Sequence, residues 1–264
     1  MPRTNRTAAP LAGNRDVAEL LSILRGHASP SLHDFQELLN QVDTLERQLE
    51  AAVRELAAMR RDLAEAERRR HPAANAMRKA VIVVQTQVLE LREKLSALKQ
   101  AVIEGSKNAV AAFLEKGVAA LDTVTRFFRV RPMLEAVQTQ AAHAAEAADR
   151  AMERIETTSM KYHEAGRHLK NAGRALSGKG VVKEPKPPGM MSKAFAAPFR
   201  AAHACFRGME RSAASAADRL GRLEQTTAEQ KKPSIQKTIQ EYQQEIEKVR
   251  AAPVKVRPRP HVER

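Results

Sequence analysis

Apolar residues recur every three or four positions over most of this chain, in long runs separated by proline and glycine. The first run is short. Val17, Leu20, Leu21 and Leu24 share one face between Asp16 and Arg25, closed by Gly26, which predicts a single amphipathic helix. Ser29-Pro30-Ser31 follows. Ser31 is expected to cap the next helix, with Asp34 near its positive end. From Phe35 the positions alternate by three and four through Leu38, Val42, Leu45, Leu49, Ala52, Leu56, Met59, Leu63 and Ala66, a sustained heptad pattern of the coiled-coil kind. His71-Pro72 should end it, because a residue before proline is pushed out of the helical region. The pattern restarts at Met77 and runs through Val81, Val84, Val88, Leu91, Leu95, Leu98 and Val102. Two matched stripes across a short break predict an antiparallel helical hairpin. Beyond Gly105 the stripe shifts by one residue and continues through Val110, Phe113, Leu114 and Val118 to Phe128. An unbroken helix over 77–130 would be ~80 Å long, with Gly105 and Gly117 as kink positions.

After Arg131-Pro132 a third long run has a narrower seam. Leu134, Ala141, Ala148, Ile155, Tyr162, Leu169 and Leu176 recur every seven residues, and Ser159, Gly166, Gly173 and Gly180 form an almost bare edge beside them. Glycine inside a helix costs about 1 kcal/mol, so this edge predicts close approach of another helix. Residues 178–192 are rich in Pro, Gly and Lys and read as a linker. The next segment, 193–226, carries Phe195, Phe199, Ala202, Phe206, Met209, Ala213, Ala216, Leu220 and Leu223 on one face, and is expected to pack on the bare edge of 141–176. A short heptad helix (Ile235, Ile239, Tyr242, Ile246, Val249) and a basic tail from Pro253 complete the chain. The tail has the composition of a disordered segment.

The expected fold class is therefore all-α: an elongated antiparallel coiled-coil hairpin, a second helical bundle, and a disordered basic C-terminal tail. The organisation is a leader and short helix over 1–30, the hairpin over 31–131, an Ala/Gly-rich helical pair over 132–226, and the heptad helix and tail over 227–264. Composition agrees: 264 residues include 7 Phe, 2 Tyr and no Trp, so the core must be aliphatic. No stretch resembles a membrane span or a signal peptide. The single Cys205 fits a reducing, cytoplasmic setting without disulfides.

The net charge is +14 and is concentrated in 72–131, at +5, and in 161–211, at +8. Two constellations follow from it. Arg167, Lys170 and Arg174, with His163 before them and Lys179 after them, are expected on the outward face of the third long helix, where they could track a phosphate backbone. Arg126-Phe127-Phe128-Arg129-Val130-Arg131 is a basic and aromatic helix end. Phe127, Phe128, Arg129 and Arg131 could bind a partner or an anionic membrane surface. The bland alternatives are a solvated helix face for the first and a hairpin cap for the second.

Nothing in the motifs points to catalysis. The 8 His show no helical metal-pair spacing, and no phosphate loop or nucleophile elbow is present. No catalytic, cofactor or metal residue is assigned, and the chain is not expected to be an enzyme. Several stretches carry a resemblance: Ile103 to Phe113, Arg126 to Pro132, Tyr162 to Lys179, and Lys-Pro-Ser at 232–234. In these the chain resembles a family of uncharacterised helical proteins encoded on integrative and conjugative elements of anaerobic gut bacteria. That resemblance implies a mobile-element accessory in a bacterial cytoplasm and supplies no activity. The leading expectation is a non-catalytic scaffold or adaptor acting by coiled-coil partner binding or self-association. Sequence-independent nucleic-acid binding through 161–186 and the tail is the alternative, and peripheral membrane attachment through the Phe-containing basic helices is a third.

Overall fold

The computed structural model describes residues 10–71, 73–117, 129–177, 180 and 194–223. One 3-10 turn, Leu11–Gly13, precedes five α-helices: α1 (Arg15–Gly26), α2 (Ser31–Arg68), α3 (Ala74–Lys116), α4 (Val130–Leu176) and α5 (194–223). There is no strand among the described residues. The fold is an all-α bundle, as the periodicity implies.

The α2 and α3 stripes zip together in antiparallel register. Arg78 pairs with Glu67 at 2.6 Å, the Arg60 guanidinium donates to Gln85 at 2.8 Å, and Lys99 pairs with Glu46. Seven residues down α2 are matched by seven up α3, and the next fourteen by fourteen. Such even steps are what two heptad stripes impose when each turn of one helix packs against a turn of the other. Of the ten α2 positions named from the pattern, only Leu63 is partly rather than fully buried, and the α3 positions from Met77 to Val102 are all buried.

α4 then runs antiparallel to α3, with the Gln140 amide donating to Gln87 at 2.9 Å. α5 returns antiparallel to α4, fixed by Arg200 to Glu156 at 3.3 Å and His203 to Asp149 at 3.2 Å. It also closes the ring onto α2. Arg219 lies 3.8 Å from Asp34 and 3.9 Å from Glu37, and a Cβ on Gly208 would sit 2.8 Å from the Gln48 amide nitrogen. The two helical pairs read from the sequence thus share one core in an up-down-up-down bundle. The buried face of α4 between Ala141 and Ala151 is entirely alanine, while α5 contributes the buried rings of Phe195, Phe199 and Phe206. Small residues on one helix leave room for large ones on its neighbour. No helix among the described residues is long and apolar enough to cross a membrane.

Local details differ from the sequence expectations in four places. Ser31 does not cap α2; the cap position is Pro30, which has no side-chain bond to offer, and the Leu32 N–H donates instead to the Ser29 carbonyl at 3.1 Å. The end of the leader is docked, because Leu11 is buried and its N–H donates to Asp43 at 3.3 Å. Asn14 caps α1, its side chain accepting from the Asp16 and Val17 N–H groups. α3 passes Gly105 without a break and ends at Lys116, where Gly117 adopts φ 65°. A left-handed residue there stops the helix, and glycine takes that conformation without a steric penalty. Residues 118–128 lie outside the described residues, as do most of the 178–192 linker, the heptad segment from Ile235 to Val249 and the basic tail.

The shared core makes a testable demand. Leu98 is fully buried on α3. Leu98→Ala should lower unfolding free energy by about 2–5 kcal/mol, measured by urea denaturation, with helicity by circular dichroism retained below the transition.

Candidate interaction surface at the free end of helix α4

α4 outruns the helices that cover it. Its last buried residue is Ser159. There it passes the turn between α2 and α3, where the His71 ring lies 5.2 Å from Phe195 at the start of α5. His71 accepts a hydrogen bond from the Ala73 N–H at its Nδ1, 3.2 Å away, which requires that nitrogen to be unprotonated. Burial lowers its pKa from the ordinary histidine value, and the nearby His163 lowers it further. The α2–α3 turn is thus held by a neutral imidazole.

Beyond His163 the helix continues for thirteen more residues to Leu176, about 20 Å. Nothing in the sequence stops it, since no proline occurs before Pro185. The heptad stripe that is buried at Leu134, Ala141, Ala148 and Ile155 emerges into solvent. Tyr162 is 57% exposed, Leu169 79% and Leu176 92%. Gly166 and Gly173, on the bare edge beside the stripe, have nothing within 4 Å of where a Cβ would be. The close helix crossing predicted from these glycines is not made within the described residues. α5 packs on α4 further back, beside residues 149–156.

This end of α4 is turned the opposite way from the sequence expectation. The apolar stripe faces water, whereas Arg167 and Arg174 lie on the less exposed side. The Arg167 side chain is 26% exposed and stands 3.7 Å from Glu164. Arg174 Nε donates to the Gly180 carbonyl at 2.8 Å, which brings the start of the linker onto its side of the helix. Lys170 is exposed, as are Lys161 and His168. Lys179 lies outside the described residues. From 160 to 177 the helix carries four Lys or Arg against the single Glu164, a net +3.

The second constellation is only partly described. Phe127 and Phe128 lie outside the described residues. Arg129 is exposed and 3.7 Å from Glu104. Arg131 is half-buried, its guanidinium 3.4 Å from where a Cβ on Gly221 would be. The phenylalanines of α5 are interior and cannot be offered to a lipid surface.

One further feature is concave. A groove of about 480 Å³ between α4 and α5 is lined by Gln138, Arg207, Glu210, Arg211 and Ala214. Its arginines are engaged: Arg207 bonds Glu210 at 2.8 Å, and Arg211 Nε donates to the Arg207 carbonyl at 3.3 Å. Cys205 is half-buried, and burial, reinforced by Glu55, pushes its thiol up, away from the reactive thiolate. No group of three His, Cys, Asp or Glu side chains is placed to hold a metal ion among the described residues.

The open stripe was legible in one respect. The apolar run of α5 spans Phe195 to Leu223, whereas that of α4 spans Leu134 to Leu176. Arms of unequal length leave about two heptads uncovered.

The fold and this surface define the class: an all-α bundle with one overhanging amphipathic helix. The chain belongs to DUF6674, a family of unknown function, whose pattern it matches over residues 13–261. No curated protein and no solved structure matches it.

Two outcomes follow from this geometry. With its folded pKa depressed, His71 binds fewer protons in the folded than in the unfolded chain below the ordinary histidine pKa of about 6.5, so stability is lost as pH falls through that value. His71→Gln should flatten this acid-side slope in denaturation midpoints taken across the range. Gly166→Ala with Gly173→Ala should raise helicity and stabilise the α4 end, by up to about 1 kcal/mol for each residue, read from hydrogen exchange of the amides of 164–176.

Proposed function

We propose that this protein is a non-catalytic helical scaffold or adaptor that binds a partner helix on the free end of α4. Its setting, as the sequence resemblance implies, is the bacterial cytoplasm, as an accessory of a mobile element. The observation that carries the reading is the heptad stripe that leaves the core at Ser159 and stands open at Tyr162, Leu169 and Leu176. Fully burying a leucine side chain contributes about 1.5–3 kcal/mol, so a helix covering Leu169 and Leu176 would gain substantial affinity from those two residues. The heptad seams behind the stripe support coiled-coil partner binding as the mode.

Nucleic-acid binding is less well supported by the same helix. Arg167 and Arg174 are engaged by Glu164 and the Gly180 carbonyl, which leaves Lys161 and Lys170 as the exposed permanent cations of this end among the described residues. Two phosphate contacts would give a salt dependence of only about −1.8 in log–log slope on duplex DNA, far below that of proteins making six to ten.

A photo-crosslinking residue placed at position 169 in the full chain, expressed in its native cell, should give a discrete heavier adduct. The same residue at Arg154, an exposed position on the covered part of α4, should not. Absence of any adduct from positions 162, 169 and 176 would remove the basis for this reading.

A further inference from the structure

We propose that the tip of the bundle, where α2 turns into α3 and α4 runs past, binds double-stranded nucleic acid through its phosphates. This surface is separate from the open α4 stripe and does not rest on the partner-helix reading.

Positive charge is gathered at this end. Residues 60–79 carry seven Lys or Arg against three Asp or Glu, and 160–177 carry four against one, whereas all other described residues together sum to −1. The two stretches meet where His163 of α4 stands near the His71 turn. A field concentrated in this way attracts a polyanion and raises its rate of encounter. Part of the concentration has an ordinary structural cause. Arg68 and Arg69 sit where the negative end of the α2 dipole favours cations, and Arg78 bridges to Glu67. That cause does not extend to Arg70, Lys79 and Lys161, which are exposed and have no ion pair among the described residues. Arg68 and Arg69 also share the single carboxylate of Glu65, so the trio keeps one positive charge.

Arg70 carries a second, independent sign. α2 closes with the His71 N–H donating to the Ala66 carbonyl at 2.8 Å and the Arg70 N–H donating to the Glu67 carbonyl at 3.0 Å, a left-handed cap of the kind that usually employs glycine. Arg70 holds φ 50° there, which costs a residue with a Cβ about 1–2 kcal/mol. An exposed arginine thus stands where the backbone favours glycine, and strain of this sort concentrates where the side chain is used.

The chemistry of the tip selects among polyanions. Its cations are mostly arginine, whose forked donors match a phosphate. Residues 60–79 contain no Phe, Tyr or Trp to stack an unpaired base, and no large apolar side chain among them is exposed for insertion into lipid. A duplex, with its bases paired and its phosphates outside, requires neither.

The test uses the full-length protein and a fluorescent duplex of about 20 base pairs, titrated by anisotropy between about 50 and 200 mM salt. Arg70, Lys79, Lys161 and the net charge of the Glu65 trio make four contacts, so the log–log slope should be at least as steep as about −3.6. Arg70→Gly should reduce its magnitude by about 0.9 while the melting temperature holds or rises, since glycine relieves the left-handed backbone. Adding Lys79→Gln should remove about 0.9 more. Arg47→Gln deletes the same charge from an exposed site about 35 Å back along α2, and should leave the slope unchanged. Equal losses from Arg47→Gln and Arg70→Gly would mean that net charge alone attracts the duplex, and overturn the proposal. So would an unchanged slope in the Arg70→Gly, Lys79→Gln variant, or a fall in melting temperature that accounts for the lost binding. Tighter binding to a single strand of equal length, or to vesicles containing phosphatidylserine, overturns the assignment to a duplex.

Discussion

A stripe of apolar side chains on a helix has to be covered along its length, and in this bundle the helices differ in how far they run. α2 has 38 residues, α3 43 and α4 47. Once the α2–α3 register is set by their two stripes, the overhangs follow. At one end α3 reaches about two residues past the start of α2, and that end is covered within the chain. α1 lies against it, the His27 ring sits 5.2 Å from Phe113, and Ala109, Val110 and Ala112 are buried. At the other end α4 extends past the α2–α3 turn, and no described element covers it. The same physical requirement is met at one end and left open at the other.

The parts of this arrangement that the sequence made legible are those governed by a single helix's periodicity. The seam positions of α2, of α3 as far as Val110, and of α5 could be named residue by residue because each is covered on one face by neighbours, whereas Leu114, placed on the shifted α3 stripe, is 75% exposed. What periodicity could not convey is coverage. Tyr162, Leu169 and Leu176 continue the seam of Leu134 and Ile155 without a change in spacing, yet burial ends between them, because it depends on where α2 and α5 stop. The orientation of Arg167 and Arg174 failed for the same reason: an outward face was inferred as the one opposite the seam, and here the seam is the outward face. Ser31 illustrates a smaller limit. Its residue type suits a cap, but the backbone of Pro30 already has helical dihedrals, with φ −60° and ψ −25°, so the helix begins one position too early for Ser31 to serve. Leu11 lay within a polar, proline-containing stretch, and the pairing with Asp43 that docks it is long-range and invisible to local pattern.

Charge follows a similar division. The pairs that link helices, such as Glu46 with Lys99 and Glu67 with Arg78, flank buried seams and lie where register brings opposite charges together. An exposed pair such as Glu67 with Arg78 contributes about 0–1 kcal/mol, so it selects register more than it supplies stability. The cations of 161–211 behave differently from what their number suggests. Arg200 is drawn to Glu156 and Arg207 to Glu210, which leaves less free positive charge on α5 than its sequence implies. The end of α4 is the exception, because it has one acidic residue among its cations and no facing helix among the described residues to supply more.

The two glycines at this end bear on the same point. Inside a helix each costs about 1 kcal/mol relative to alanine, and within a bundle such a cost is usually offset by a backbone that comes close enough to exclude a side chain. Gly208 in this molecule meets the end of the Gln48 side chain, whose amide nitrogen would lie 2.8 Å from a Cβ there. Gly166 and Gly173 have the cost without the contact, and they flank the one stretch of seam that also lacks a cover. An unreturned backbone cost and an unreturned apolar exposure on adjacent edges of one helix are both removed by a single event, the close approach of another helix. Neither is removed by an ion, a nucleotide or a lipid headgroup, which would engage the cations and leave the leucines in water. The bare glycine edge beside the open stripe therefore constrains how closely a second helix can approach.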